Sequence, residues 1–298
     1  MVQVKGVYTA MVTPFDESGE VDFDVLGELL DRQLAAGVAG VVPMGTTGES
    51  PTMFNAEHDA VIRYTVEKVA GRAQVWAGTG SNNTQQAIRT TGEAQEAGAD
   101  GALVVTPYYN KPSQAGLYRY FRDIAESTDL PLIVYNIKGR TAVNVETETL
   151  AEIAKIPNVV AVKEASGDIG QMADVIDRIC RRGDEPFWVV SGDDALTLPL
   201  MSIGGHGVIS VVSNLVPERM VALVEAASAG DFATAREIHY ELLPLFKASF
   251  IETNPVPIKA AMNLCGLDVG GVRSPLAPLT AANQERLESI IRGLGLTG

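Results

Sequence analysis

Val159–Glu164, which reads VVAVKE, is a short apolar run that ends in a lysine and a glutamate. Continuous apolarity without polar alternation is typical of a β-strand that is buried on both faces, as the strands of parallel sheets are. Seven other runs along the chain share this character, at residues 6–13, 38–44, 74–78, 101–106, 130–136, 187–191 and 207–212. The sequence therefore predicts eight buried parallel strands.

Stretches of helical periodicity, such as residues 25–36 and 57–69, lie between these runs. Alternation of strands and helices indicates parallel pairing through helical crossovers. Eight such units favour an α/β fold of the (β/α)8 TIM-barrel type. The alternative is a doubly wound sheet, but Gly78-Thr79-Gly80 lacks the later glycine of a dinucleotide-binding turn.

The chain continues with helical patterning after the eighth predicted strand. We therefore expect a barrel with a C-terminal helical extension, divided into a catalytic barrel domain at residues 1–230 and an α-helical domain at residues 231–298. The proline-rich residues 252–257 separate two of the extra helices and are either a hinge or a turn.

Composition excludes several classes of protein. A formal net charge of -14 repels phosphate backbones, which argues against a nucleic-acid partner. No stretch reaches eighteen consecutive apolar residues, and the N-terminal residues lack the pattern of a signal peptide, so we expect no membrane span and no export. Cys180 and Cys265 form no C-x-x-C motif, which is consistent with a reducing cytoplasm.

Lys163 is the one lysine of eight that ends a predicted strand. In a (β/α)8 barrel the active site lies at the carboxyl ends of the strands. Desolvation there disfavours the ammonium form and leaves an amine that attacks carbonyl carbons, which predicts a Schiff-base site. The alternative is an ion pair between Lys163 and a neighbouring carboxylate, such as that of Glu164 or Asp193.

Two further features fit Schiff-base chemistry. Tyr135 ends the fifth predicted strand, next to the strand of Lys163, where a phenol can shuttle protons; the alternative is a packed tyrosine. Residues 45–50, GTTGES, follow the second strand and offer backbone N–H groups and the hydroxyls of Thr46 and Thr47 to a carboxylate. The alternative for that loop is a tight turn with Ser50 as a helix cap.

Seven motifs occur in a specific order over nearly the whole chain: residues 45–50 (GTTGES), 106–113 (TPYYNKPS), 135–136 (YN), 139–141 (GRT), 162–166 (VKEAS), 191–194 (SGDD) and 204–211 (GGHGVISV). In these motifs the chain resembles the dihydrodipicolinate synthase family within the N-acetylneuraminate lyase superfamily of class I pyruvate aldolases. The resemblance implies a metal-independent lyase without a cofactor, which acts in lysine and diaminopimelate biosynthesis. Its small-molecule substrates would be pyruvate and L-aspartate 4-semialdehyde, joined through a Schiff base on Lys163.

The resemblance also implies roles for other residues. Tyr135 would move protons with the help of a hydroxyl relay through Thr46 to Tyr109. Thr47 and the main chain near Ile209 would hold the pyruvate carboxylate. Since the tyrosine that matches Tyr109 is contributed across a subunit interface in this family, a homotetramer built as a dimer of dimers is implied.

Arg140 bears on the choice of the second substrate. A guanidinium forms a fixed, charged fork for a carboxylate, whereas the neuraminate-cleaving members usually lack the Gly-Arg-Thr pattern. A solvated surface arginine is the alternative. Lys138 stands where the family commonly has proline, and we expect it to face solvent. As a hypothesis, its charge alters the choice of aldehyde; unchanged relative rates for all aldehydes in Lys138→Pro would refute this.

His58, Asn82, Gln86 and Tyr108 fall where some members of the family bind lysine as an effector. Gln86 replaces a glutamate that is often found there. Without that carboxylate the ammonium group of an effector loses a charge-assisted hydrogen bond, so the sequence predicts weak or absent inhibition by lysine.

Several other functions fit the sequence less well. A phosphate-binding or flavin-binding barrel would place its anion near the seventh loop, where Asp193 and Asp194 repel it. A metal-dependent aldolase is hard to build from His58, His206 and His239, which show no ligand spacing. Another pyruvate-dependent lyase, for N-acetylneuraminate or a 2-keto-3-deoxy acid, stays open as the alternative. A non-catalytic ligand-binding barrel is less favoured, because Lys163 and Tyr135 are both present.

Overall fold

Eight parallel strands close into a barrel in chain order in the computed structural model, which describes residues 2–183 and 185–296. The strands are β1 (Gly6–Ala10), β2 (Gly40–Val42), β3 (Gln74–Gly78), β4 (Gly101–Val105), β5 (Leu132–Asn136), β6 (Val159–Glu164), β7 (Trp188–Ser191) and β8 (Gly207–Ser210). The prediction of a (β/α)8 barrel is therefore confirmed.

Helices connect the strands and cover the barrel. They are α1 (Phe23–Ala35), α2 (Asn55–Val69), α3 (Thr84–Ala97), α4 (Gln114–Ala125), α5 (Lys138–Thr141), α6 (Thr147–Ile153), α7 (Ile169–Val175), α8 (Thr197–Ser202), α9 (Pro217–Ser228), α10 (Phe232–Ala248), α11 (Val256–Leu264) and α12 (Ala281–Gly293). A π-helical turn, Ile176–Arg181, continues α7. Within residues 2–183 and 185–296, no helix is both long and apolar enough to cross a membrane.

Several predicted strands are shorter in the structure. The second was expected at residues 38–44, but β2 covers only Gly40–Val42, and Met44 has a left-handed backbone with φ 57°. The first was expected to reach Thr13, yet the N–H of Val12 donates to the side chain of Asn214, at 3.1 Å, instead of to a strand. The residues lost after β1 and β2, 11–13 and 43–44, form loops at the barrel mouth.

The interior of the barrel is filled by side chains rather than open. Tyr8, Trp76, Ile133 and Ile209 are almost completely buried there, and a second, larger apolar cluster lies between the strands and the helices. Filling the barrel in this way is expected for eight strands, so a substrate reaches only the mouth.

The helical extension begins at α10, where the Asp231 carboxylate caps the helix by accepting from the N–H of Thr234 at 3.0 Å. The proline-rich residues 252–257 lie between α10 and α11 and include the first two residues of α11. They form a turn that packs against the barrel, because Asn254 is 4% exposed and Pro255 is also buried. The predicted division at residues 230 and 231 stays a prediction, and its outer ends, Met1 and residues 297–298, lie outside the described residues.

Candidate active site

Lys163 and Tyr135 lie side by side at the carboxyl ends of β6 and β5. The sheet register pairs them directly, and the Lys163 Nζ lies 4.1 Å from the centroid of the Tyr135 ring. Both side chains are buried, with exposed fractions of 5% and 6%. This geometry is a cation–π contact for a protonated lysine, and it brings the phenol ring beside the amine that we predict to react.

Glu164 does not pair with Lys163, although it is the next residue. Successive side chains of a strand point to opposite faces, so the Glu164 carboxylate lies on the helix side. It accepts hydrogen bonds from the Ser166 N–H at 2.8 Å, from Asn136 Nδ2 at 3.2 Å and from Gln171 Nε2 at 3.3 Å. Burial raises the pKa of this carboxyl group. Among the residues that the structure describes, no carboxylate lies within 4.0 Å of Lys163 Nζ.

The loop after β2 forms the second wall of the site. It is a tight turn, in which the Glu49 N–H donates to the Thr46 carbonyl at 3.1 Å, and Glu49 itself has a left-handed backbone with φ 57°. Thr47 is buried, and its Oγ1 accepts from Asn254 Nδ2 at 2.9 Å. Ser50 begins a short 3-10 turn. Ser50 is not a helix cap, because Glu49 is the N-cap of that turn and Phe54 is the N-cap of α2. The tight turn is present, and the binding of a carboxylate by Thr46 and Thr47 stays a prediction.

One small cavity at the barrel mouth is lined by residues from several loops. Lys163, Tyr135, Thr46, Thr47 and Arg140 all line it, and its volume is about 30 Å³. A volume of this size has room for roughly one or two water molecules. The structure thus brings together five of the residues that were predicted to act in the reaction.

Gly192, in the loop after β7, leaves space for the lysine. A Cβ atom at this position would lie 2.9 Å from Cε of Lys163 and 2.7 Å from Cβ of Ala165. Distances below 3.0 Å require a neighbour to shift, and here the shifted atom would carry the amine. Gly192 also lines the cavity. Gly192 lies in the SGDD motif at residues 191–194 but was not predicted as a site residue.

Arg140 lies in α5 at the edge of the cavity, and it is exposed. Its Nη2 donates to the main-chain carbonyl of Asn254 at 3.1 Å. This bond engages one donor of the guanidinium and leaves others for a ligand. Lys138 is the first residue of α5 and is exposed, as was expected.

Two predicted site residues do not reach the cavity within one chain. Tyr109 is 90% exposed, has φ 73°, and lies in the loop between β4 and α4. Ile209 is completely buried in β8, and Val211, two residues later, lines the cavity instead. The predicted roles of Tyr109 and Ile209 therefore stay predictions.

A larger cavity, of about 490 Å³, adjoins the first one, because Thr46 and Arg140 line both. His58, Gln86 and Tyr108 line the larger cavity, which gathers three of the four predicted effector residues. The Gln86 Nε2 donates to Asn55 Oδ1 at 3.1 Å.

Two residues of the predicted effector site, Asn82 and His58, lie within hydrogen-bond distance of protein groups. The carbonyl of Asn82, the fourth effector residue, accepts from Asn110 at 2.8 Å. His58 Nε2 is 2.9 Å from the Gly78 carbonyl oxygen.

The histidines are dispersed over the fold. His206 lies just before β8, where its Nδ1 accepts from the Val189 N–H at 3.0 Å, and burial lowers its pKa. His239 lies in α10, far along the chain. Within residues 2–183 and 185–296, no group of three or more His, Cys, Asp or Glu side chains is placed to hold a metal ion.

Asn254 and Phe250 also line the cavity and were not predicted. Both belong to the helical extension, so nothing in the strand pattern connects them with the barrel mouth. The sequence offered one signal of a functional role: Asn254 is a polar residue that is followed by the apolar residues Pro255, Val256 and Pro257.

Comparison with known proteins agrees with this arrangement. The family model of the dihydrodipicolinate synthetase family matches residues 3–294. The 4-hydroxy-tetrahydrodipicolinate synthase of Syntrophus aciditrophicus is 51% identical over 294 residues, which is 99% of each protein. The crystal structure of dihydrodipicolinate synthase from Aquifex aeolicus is 44% identical, with a TM-score of 0.95 over 99% of each chain. That of the Cyanidioschyzon merolae protein with lysine bound is 42% identical, with a TM-score of 0.93 over 98% of each chain. This chain belongs to the dihydrodipicolinate synthetase family.

Proposed function

We propose that this protein is a 4-hydroxy-tetrahydrodipicolinate synthase, which condenses pyruvate with L-aspartate 4-semialdehyde in lysine and diaminopimelate biosynthesis. The observation that carries the proposal is the single cavity shared by Lys163, Tyr135, Thr46, Thr47 and Arg140. Family membership over nearly the whole chain supports it.

The first half of the reaction activates pyruvate. The Lys163 amine attacks the keto carbon, and the resulting carbinolamine loses water to give an iminium. Loss of a methyl proton then gives an enamine. Each step moves a proton near the nitrogen, where Tyr135 is the neighbouring phenol. The hydroxyl and backbone of Thr47 bind the pyruvate carboxylate at the opposite wall.

The second half forms the carbon–carbon bond. The enamine carbon attacks the aldehyde carbon of the semialdehyde, and the aldehyde oxygen takes up a proton. The amine of the joined product then attacks the iminium carbon, which closes the ring and releases Lys163. Covalent catalysis divides one difficult condensation into easier steps. Arg140 binds the carboxylate of the semialdehyde with the guanidinium donors that Asn254 leaves free.

The assembly is also part of the proposal. Tyr109 is 90% exposed and Phe54 is 80% exposed, which is unusual for large apolar or aromatic side chains. If a second copy of the chain covers these side chains, Tyr109 of one copy can join the hydroxyl relay through Thr46 of the other copy. We propose a homotetramer, in which the barrel of residues 1–230 is the catalytic domain and residues 231–298 form the helical domain.

Turnover measurements test the substrate assignment. The purified protein is incubated with pyruvate and L-aspartate 4-semialdehyde, and, in parallel, with N-acetylneuraminate or with 2-keto-3-deoxy acids. We expect turnover with the semialdehyde and little with the sugar acids, in the presence or absence of EDTA. Faster cleavage of N-acetylneuraminate or of a 2-keto-3-deoxy acid would assign the chain to the alternative pyruvate-dependent lyases.

A further inference from the structure

A second buried lysine lies behind the active-site loop. Lys259, in the largely apolar helix α11, has a side chain that is 2% exposed. Its Nζ donates to Glu49 Oε1 at 3.1 Å and to the Thr13 carbonyl at 2.9 Å, and it lies 4.2 Å from the centroid of the Phe15 ring. The Glu49 side chain is completely buried. The pair therefore connects the helical extension to the loop after β2.

Stability alone does not explain such a pair. Removing two charges from water costs about as much as their attraction returns, and apolar replacements of both partners are often neutral or stabilising. A buried pair of this kind is better suited to fixing one arrangement of the chain. Here the fixed segment is the loop after β2. Within it, Glu49 has a left-handed backbone, and the Glu49 N–H donates to the carbonyl of Thr46.

The same segment of the extension holds the site at further points. Asn254, five residues before Lys259, donates through Nδ2 to Thr47 Oγ1 at 2.9 Å. The Asn254 carbonyl accepts from Arg140 Nη2 at 3.1 Å. Residues 254–259 therefore contact the loop at both Thr47 and Glu49, and they contact Arg140 as well.

The other side of Glu49 is also occupied. Its Oε2 accepts from the Arg273 N–H at 3.0 Å, and the Arg273 guanidinium pairs with Glu57 at 2.6 Å. Both carboxylate oxygens thus have fixed donors. Loss of the ammonium would leave a buried carboxylate with one remaining partner, so the loop would have to move towards water.

We propose that Lys259 is a positioning residue for the reaction: by holding Glu49, its ammonium fixes the orientation in which Thr46 and Thr47 face Lys163. This inference rests on the proposed function, because it assigns the loop to the pyruvate carboxylate. The helical extension then acts in capture of the first substrate and is more than a packing element.

The test replaces the ammonium by an apolar group of similar length. For Lys259→Met we expect the KM for pyruvate to rise about tenfold, which corresponds to about 1.4 kcal/mol, while the KM for the aldehyde changes less than about twofold. Reduction with borohydride still labels Lys163, but at a lower rate. The matched control is Lys247→Met, on the exposed face of α10, which should leave both KM values unchanged.

A double variant separates positioning from stability. Glu49→Gln combined with Lys259→Met removes both charges, so its thermal midpoint should return towards that of the unmodified protein while the KM for pyruvate stays high. Recovery of KM together with the midpoint would overturn the proposal. If Lys259→Met does not fold, the double variant and Lys259→Arg, which keeps the cation, make the same comparison. Absence of any pyruvate adduct in the unmodified protein would instead contradict the proposed function.

Discussion

The Nζ atom of Lys163 lies 4.1 Å from the centroid of the Tyr135 ring, and the barrel register holds these two residues opposite each other. Neighbouring strands of a closed barrel fix this pairing, so the Tyr135 ring lies beside the nitrogen to which the proposed intermediates are bound. Proton transfer by a positioned side chain contributes about 100-fold to 10,000-fold to a rate. The Tyr135 ring contributes packing and its hydroxyl contributes proton transfer, so a substitution that removes only the hydroxyl separates the two contributions.

Tyr135→Phe keeps the ring and removes only the hydroxyl. We predict that turnover falls by about 100-fold or more, because carbinolamine dehydration and enamine formation lose their proton carrier. The thermal midpoint should change little, since the packing of the ring is retained. Steady-state rates and a thermal scan of the same preparation check this. Turnover within about twofold of the unmodified protein would remove Tyr135 from the reaction.

Replacement of Arg140 should affect the two substrates differently. Since hydrogen bonds to charged groups contribute about 1.5–3 kcal/mol, Arg140→Ala should raise the KM for L-aspartate 4-semialdehyde by about 10-fold to 100-fold. The KM for pyruvate should stay within about threefold, and Arg140→Lys should recover only part of the loss because it lacks the planar fork. Initial rates at varied concentrations of each substrate measure both constants. Equal changes in the two KM values would contradict a role of Arg140 in binding the carboxylate of the semialdehyde.

We predict that the strength of inhibition by lysine depends on Gln86. The amide lines the larger cavity and donates to Asn55, so it offers no negative charge to an effector ammonium. We predict weak or absent inhibition of the unmodified protein, and about tenfold stronger inhibition of Gln86→Glu through a charge-assisted bond. Gln85→Glu, on the neighbouring exposed position, is the control. Strong inhibition of the unmodified protein in a titration at low lysine concentration would show that the glutamine suffices.

Asp194 makes stability depend on pH. The carboxyl group is buried, its Oδ2 accepts from the N–H groups of Val211 and Val212 at 3.0 and 3.2 Å, and burial raises its pKa from 3.8 to about 6. The folded chain therefore binds this proton more tightly than the unfolded chain. The contribution of Asp194 to the free energy of unfolding falls as the pH rises from about 4 to about 6. Above that range the folded protein bears the full cost of burying the ionised carboxylate.

The magnitude follows from the size of the shift. A rise of the Asp194 pKa from 3.8 to about 6 lowers the free energy of unfolding at neutral pH by roughly 3 kcal/mol. Asp194→Asn has no ionisable group at this position and avoids this loss. The stability of this variant relative to the unmodified protein should accordingly be higher at about pH 7.5 than at about pH 4 by that amount. Urea unfolding at both pH values measures the difference, with the exposed Asp24→Asn as the control. A difference that is independent of pH would contradict the assigned titration.

Much of the site follows from the strand pattern. Consecutive strands of a parallel barrel are neighbours, so the ends of the fifth and sixth apolar runs were bound to bring Tyr135 and Lys163 together. The strand limits were less accurate at β2, because the apolar Met44 gives no sign of its left-handed backbone. Apolarity reports burial, and a buried loop satisfies the same pattern as a strand.

The contribution of the helical extension could not be predicted. Thr47 and Asn254 are 207 residues apart, and Glu49 and Lys259 are 210 residues apart. No local periodicity encodes contacts between a helix that follows the barrel and a loop near its start. A lysine in a largely apolar helix was a signal of burial with a partner, but the sequence does not identify that partner.

Reduction with borohydride in the presence of pyruvate, followed by mass mapping of the peptides, shows directly whether Lys163 forms a Schiff base with the substrate. We expect one reduced pyruvate adduct per chain, on Lys163, and none on Lys259, although both lysines are buried. Lys163→Arg should give no adduct, since the guanidinium stays protonated and is not a nucleophile. An unmodified Lys163 in protein that turns over, or an adduct on any other lysine, would contradict the assignment.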